Sequence, residues 1–314
     1  MLNIQKREKV KGSHGRTMLL YSYYKDLGKT TQCNNFPKPL MVLFEDNARD
    51  ITMEKALSIN DDYNVFLELV DELENPEFAK ENDIETIVID GLEVLFRDCE
   101  RWVCNRRGTQ YINTDLSGKQ GFGQYIYLYS DLVEIFDRLF NHCASQNLNL
   151  VIITKGIPEI INQNGDKVET GRIVPVDFGK KYMDNIIDKV EFLGYIVPNK
   201  ESSVVLFGNT EKSIGSVKIQ NFPKKLEWNA EVFLKAVEEA TKNNKVTKSQ
   251  TVLKKHMPLD ECKEKLTQVI KDCKDKGKAK DIYSKYLDDT LPDNLVESQI
   301  SNAERVIELL KGSK

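Results

Sequence analysis

Gly28, Lys29, Thr30 and Thr31 form the tetrapeptide "GKTT", the closing half of the pattern G-x-x-x-x-G-K-[ST]. Such a loop grips a polyphosphate: backbone N–H groups wrap the phosphates, the lysine reaches the terminal ones, and the hydroxyl holds magnesium at a helix start. Counting back from Gly28 places Tyr23 where the first glycine of the pattern belongs. That glycine permits a tight turn out of the preceding strand, so Tyr23 makes the turn harder without removing a ligand. A lysine-capped surface turn is the plain alternative for so short a motif.

Two carboxylates extend the chemistry. Asp90 ends the apolar run "ETIVID" (85–90), about sixty residues downstream of the loop. A buried strand ending in aspartate is the second magnesium-side element of phosphate-transferring sites. Glu45 ends "PLMVLFE" (39–45) and could orient or deprotonate an attacking water. It could equally be a solvated acidic strand end, since Asp46 and Asp50 are close by.

The elements that must hold these residues read as α/β. From Thr17 to about residue 225, short apolar runs alternate with amphipathic stretches, the signature of a mainly parallel sheet flanked by helices. "TMLLYS" (17–22), the runs at 39–45 and 85–90, and "LNLVIIT" (148–154) are strands. "TQCNNF" continues a helix that opens at the loop, and 121–146 carries Leu128, Leu132, Ile135, Phe136, Leu139 and Phe140 at helical spacing. Asn164-Gly165 marks a two-residue turn between strand-like halves, which predicts a hairpin over 158–176. The runs 188–197, 202–209 and 215–222 are late strands, expected to be antiparallel at the sheet edge.

Composition changes near residue 243. The expected division is a core over 1–243 and a linker with a helical region over 244–314, containing amphipathic helices at 258–277 and 297–314. Residues 245–280 hold eleven lysines against five acidic residues, in a chain whose formal net charge is -4.

The chain has 314 residues, 40% hydrophobic and 30% charged, which describes an ordinary globular protein without a basic excess. Its apolar runs are too short to cross a bilayer and its N-terminus lacks an apolar leader, so a cytoplasmic protein with no membrane partner is expected. Six cysteines are too sparse for a disulfide scaffold, and three histidines stand at no zinc-ligand spacing to a cysteine pair.

The stretches "GKTTQCNNFPKPLMVLFEDN", "IETIVIDGLEVLFRDCERWVC", "SGKQGFGQYIYLYSDLVEIFDRLF" and "IIDKVEFLGYIV" resemble the phage-encoded RecA-like AAA-family P-loop ATPases, the group that includes RecA-type single-strand annealing proteins. The likeness covers about residues 15–225. It implies a RecA-like P-loop core with antiparallel edge strands, ATP and magnesium as cofactors, and a homo-oligomer in the cytoplasm of a bacterial host. By this resemblance Lys29 and Thr30 match the phosphate and magnesium residues, Asp90 the second magnesium-side carboxylate, and Glu45 the glutamate that prepares water. Thr154 falls where the family carries a polar sensor of the γ-phosphate; a plain strand terminus is the other reading. Lys218 in "GSVKIQNFP" matches a basic residue supplied by a neighbouring subunit, against a solvated edge-strand lysine. Tyr23 and the segment "KGIPEI" after Thr154 depart from the family's pattern.

Single-stranded DNA is the expected partner. Arg97, Arg101, Arg106, Arg107 and Lys119 interleave with Trp102, Tyr111, Phe122, Tyr125 and Tyr127 in a glycine-containing loop beyond the aspartate strand. Arg106, Arg107 and Lys119 are the contact candidates, most of the aromatics being expected to pack a helix onto the sheet. The lysine-rich tail could add phosphate contacts, present a wet helix face, or dock a neighbouring subunit or a single-strand-binding or other recombination protein. The expected activity is ATP hydrolysis serving phage DNA recombination or replication. The alternatives are a small-molecule P-loop kinase, which needs an arginine-bearing lid, and a non-catalytic RecA-shaped module with a decayed loop.

Overall fold

The computed structural model describes residues 12–45, 50–113, 123–163, 166–176, 180–200, 202–242, 258–273, 276–287 and 292–294, with 303, 306, 307 and 310. Asp46, Lys119, Phe122, Asn164 and Gly165 lie outside the described residues. The chain divides into two compact units, Met1–Lys245 and Val246–Lys314.

In chain order the first unit contains β1 (Thr17–Ser22), α1 (Lys29–Cys33), β2 (Pro39–Leu43), β3 (Ala56–Ser58), α2 (Tyr63–Glu72), α3 (Pro76–Glu81), β4 (Thr86–Asp90), α4 (Leu92–Arg107) and α5 (Tyr125–Ser145). There follow β5 (Asn149–Gln163), β6 (Asp166–Pro175), α6 (Lys180–Lys189), β7 (Phe192–Asn199), β8 (Ser202–Leu206), β9 (Ser216–Val217), β10 (Lys225–Glu227) and α7 (Ala230–Lys242). The sheet order is β10-β8-β7-β1-β5-β4-β2-β3, with β6 paired to β5 and β9 to β7. Strands β7, β1, β5, β4, β2 and β3 run parallel, while β8, β9, β10 and β6 are antiparallel to their neighbours.

The central strands are continuous apolar runs because helices cover both faces. Side chains alternate between those faces along a strand. Leu19, Tyr21, Ile87, Ile89, Leu150 and Ile152 pack in one core with buried residues of α2, α4, α5 and α6. Met18, Leu20, Met41, Val88, Val151 and Ile153 pack in the other with Phe233 and Val237 of α7. A sheet buried on both faces has a fixed register, because a one-residue slip exchanges the two sets.

Several expectations need correction. The run 188–197 is not an antiparallel edge strand: its first residues close α6, and β7 then pairs parallel with β1 through Met18↔Phe192 to Tyr21↔Tyr195. The 215–222 stretch supplies only the two-residue β9. Helix α1 stops at Cys33, where the Asn34 amide already bonds back to Thr30. Thr154 is no strand terminus, since β5 continues to Gln163 and pairs antiparallel with β6 down to Gln163↔Asp166. Residues 97–107 are helical, on α4, rather than part of a loop.

In the second unit, α8 (Leu259–Asp272) and α9 (Lys276–Leu287) are separate helices. Cys273 takes an extended backbone between them, so 258–277 is not one helix. Cys262, Leu266 and Val269 share a core with Ala303, Val306, Ile307 and Leu310, whose spacing is that of one helical face.

Candidate nucleotide site

Strand register brings the candidate residues to one edge of the sheet. Leu43, Asp90 and Ile153 lie side by side on β2, β4 and β5, and Ser22 at the end of β1 lies beside Lys155. Glu45 follows Leu43 by two residues, Thr154 and Lys155 follow Ile153, and the GKTT loop leaves β1 at this edge. The carboxyl ends of the strands in an open α/β sheet are where ligands bind.

The loop between β1 and α1 turns in its own way. The Ser22 hydroxyl accepts from the Tyr24 amide at 3.1 Å and starts the bend. The left-handed backbone falls on Asp26 (φ 56) and Gly28 (φ 67), and Tyr23 is not among the residues with positive φ. Aspartate tolerates this region through its short polar side chain. The tyrosine therefore carries none of the strain expected of it, and its ring is exposed, edge-on to Tyr24.

Thr30 Oγ1 donates to Asp90 Oδ2 at 2.6 Å. Burial pushes the Asp90 carboxyl above its ordinary value, helped by the negative charges of Glu93 and Glu45, while the Thr30 hydrogen bond and Lys29 pull it down. Burial also lowers Lys29, against the pull of Asp90 and Glu93. Its ammonium donates to the Tyr24 carbonyl at 3.5 Å, the far limit of a hydrogen bond. Burial thus penalises both charged forms, the carboxylate of Asp90 and the ammonium of Lys29. This pairing of an oxygen-rich corner with a weakly held lysine fits a magnesium-bound polyphosphate. Thr31 is exposed in the same helical turn.

Glu45 approaches Lys155 Nζ at 3.5 Å. Thr154 is buried, and its hydroxyl donates to Glu93 Oε2 at 3.2 Å. Glu93 and Lys155 were not legible as site residues. Glu93 lies three residues after Asp90 in the first turn of α4, and Lys155 directly follows Thr154; those two spacings were the available signal.

Lys218 is not brought to this edge. Its amide donates to the Glu191 carbonyl and its ammonium to that of Asp188, while Val217 pairs with Phe192 beside Met18. That is the amino-terminal end of β1, opposite the loop. Arg106 and Arg107 occupy the last turn of α4. The Arg106 guanidinium lies 4.4 Å from the Trp102 ring centroid and that of Arg107 lies 3.6 Å from Tyr127, with Arg107 Nε donating to Gln124 at 3.3 Å. Trp102 packs on Tyr63 and donates to Asn64, but Tyr111, Tyr125 and Tyr127 are exposed, contrary to the expectation that most of these aromatics pack inward.

A mainly parallel sheet, a GKT turn leaving its central strand and an aspartate-ended strand one removed from it define an α/β P-loop nucleotide-binding core. The chain belongs to the AAA domain family: the family model described as "AAA domain" matches residues 14–225. A search of curated proteins gives no match. Among the described residues, no helix is long and apolar enough to cross a membrane.

Proposed function

We propose that this protein is a RecA-like ATPase that binds ATP with magnesium, hydrolyses it, and acts on single-stranded DNA in phage recombination or replication. The observation that carries the nucleotide reading is the Thr30–Asp90 hydrogen bond with Lys29 beside it, a metal corner and a phosphate-binding cation in one shell. Thr30 and Asp90 would hold the metal, which would supply positive charge against the phosphate oxygens when bound. Lys29 takes the terminal phosphates, Gly28 and Thr31 line them, and Glu45 orients the attacking water. Thr154 reports the state of the phosphates through Glu93, with which it shares a hydrogen bond.

Lys218, at the far end of β1, serves ATP turnover only from a neighbouring subunit of a homo-oligomer. The DNA reading is supported by Arg106 and Arg107 beside three exposed tyrosines, a mixture of phosphate-binding cations and stacking rings. Such a protein works in the host cytoplasm, with residues 244–314 docking a subunit or a recombination partner. The kinase alternative needs an arginine-bearing lid that closes over the acceptor, and the hairpin offers only Arg172, whose guanidinium lies 3.9 Å from Glu159.

The test is ATP hydrolysis by the full chain with and without single-stranded DNA, with Lys29→Ala and Glu45→Gln as controls. Magnesium-dependent turnover that DNA stimulates, that Lys29→Ala abolishes and that Glu45→Gln slows to a small residual rate is expected. Rapid DNA-independent turnover together with no single-strand binding at low salt would reject the DNA role, and turnover unaffected by Lys29→Ala would reject the site.

A further inference from the structure

Lys155 Nζ lies 3.0 Å from Glu93 Oε1 and 3.5 Å from Glu45 Oε1, so one ammonium ties two carboxylates from different strand ends. Glu93 comes from the helix after β4 and Glu45 from the segment after β2; Lys155, on β5 beside β4, reaches both. We infer that Lys155 is a positioning residue for ATP hydrolysis, holding Glu45 over the phosphate edge of the site by pinning it to Glu93. This inference rests on the ATPase reading above.

Three observations support it. The first is electrostatic: Glu93 and Glu45 both add negative charge beside Asp90, and the Lys29 charge is drawn by Asp90 first and Glu93 second. Lys155 places a cation between Glu93 and Glu45 and offsets the like charge of that pair.

The second is anchoring. Lys155 sits on a fixed stretch of backbone: its carbonyl accepts from the Val176 amide at 2.9 Å, Thr154 before it is buried, and Gly156 after it is packed against the Tyr23 amide. A Cβ at Gly156 would stand 2.9 Å from that nitrogen, so the strand and the start of the loop touch directly. A side chain rooted there has little backbone freedom to lose, which is what a positioning group requires.

The third is the shape of the cluster. The Glu93 carboxylate is largely buried, at 15% exposure, and is held on both oxygens, Oε2 by Thr154 and Oε1 by Lys155. Glu45 is more open, at 32%, and Lys155 more open still, at 58%. The cluster is therefore anchored at Glu93, and the more open lysine reaches from it to Glu45. Burial works against the Lys155 charge, but Glu93 and then Glu45 overcome it and keep the ammonium above its usual range, so the tie is intact at neutral pH.

The experiment is steady-state ATP hydrolysis and Mg-ATP binding by the full chain with Lys155→Met, Lys155→Arg, Glu45→Gln and the double variant Glu45→Gln/Lys155→Met. Lys155→Met should lower kcat by about tenfold or more while Mg-ATP affinity changes by less than about threefold, because the interaction removed is one that orients rather than binds. Lys155→Arg should restore most of the rate. The double variant should be no slower than Glu45→Gln alone, since the lysine acts through that glutamate.

A Lys155→Met rate within about twofold of wild type overturns the inference while leaving the ATPase reading standing. So does a double variant slowed by the full additional factor, which would place the lysine on the nucleotide itself. A wild-type protein that binds Mg-ATP but does not turn it over overturns both. Unchanged melting temperatures for the exposed Lys155→Met substitution exclude a folding defect, and a lowered one with full rescue by arginine still supports the tie.

Discussion

The Thr30 hydroxyl donates to the Asp90 carboxylate across 2.6 Å, joining the first turn of α1 to the last residue of β4. Thr30→Ala should leave that buried carboxylate without its donor and cost about 1–3 kcal/mol of stability. It should also abolish magnesium-dependent nucleotide binding. Calorimetric titration with ATP, with and without magnesium, separates the two effects.

Asp90→Asn should behave oppositely in stability. The folded pKa of Asp90 is raised above its ordinary 3.8, chiefly by burial. Its contribution to stability is therefore fully present below pH 3.8 and is lost as pH rises through the folded value. Relative to wild type, the asparagine variant should gain stability as pH rises from the ordinary value through the folded one. Magnesium should raise the wild-type melting temperature and leave that of the variant unmoved.

Lys29→Met should likewise stabilise the nucleotide-free protein at neutral pH. Burial depresses the lysine below its ordinary 10.5, so wild-type stability rises with pH between the folded value and 10.5. The advantage of methionine should vanish above that range. Each kcal/mol gained corresponds to about 2–4 °C in melting temperature for a unit of this size. ATP should no longer shift the melt.

Gly156→Ala tests the close approach of β5 to the loop. The added Cβ would meet Ile173 Cγ2 at 2.8 Å and the Tyr23 amide nitrogen at 2.9 Å. Backbone cannot yield cheaply, so a destabilisation of about 1–3 kcal/mol in denaturant unfolding is expected. Nucleotide affinity should fall with it. Tyr23→Gly, by contrast, should change affinity by less than about twofold, because the left-handed turn is made at Asp26 and Gly28.

Arg106→Ala with Arg107→Ala should weaken single-stranded DNA binding. The slope of log affinity against log salt should become shallower by about 0.7 for each phosphate that the arginines no longer neutralise. ATP turnover without DNA should be unchanged, as neither arginine approaches the nucleotide site. An unaltered salt slope would place the DNA path elsewhere.

The chain's local chemistry specified a great deal by itself. Continuous apolar runs ending at Ser22, near Glu45 and at Asp90 fixed the parallel core, because only strands covered on both faces read that way. Gly28-Lys29-Thr30 after the first run and an aspartate after a later one marked the candidate residues that the fold brings together, with Thr30 bonded to Asp90. Two strand-like halves around Asn164-Gly165 anticipated the β5–β6 pairing.

What remained closed were relations between segments far apart in sequence. Nothing local makes β7 parallel to β1, puts Lys218 at the opposite end from Lys29, or brings Lys155 within 3.5 Å of Glu45. Arginines 97 to 107 read as a basic loop because their charges mask a helix whose buried face is Val94, Leu95, Cys99 and Val103. These outcomes depend on which strands are neighbours and in what register, and register is set by simultaneous burial of both sheet faces rather than by any residue's own preference. The sequence therefore determined which groups could grip phosphate and metal, and the tertiary structure decided that Glu93 and Lys155 join them.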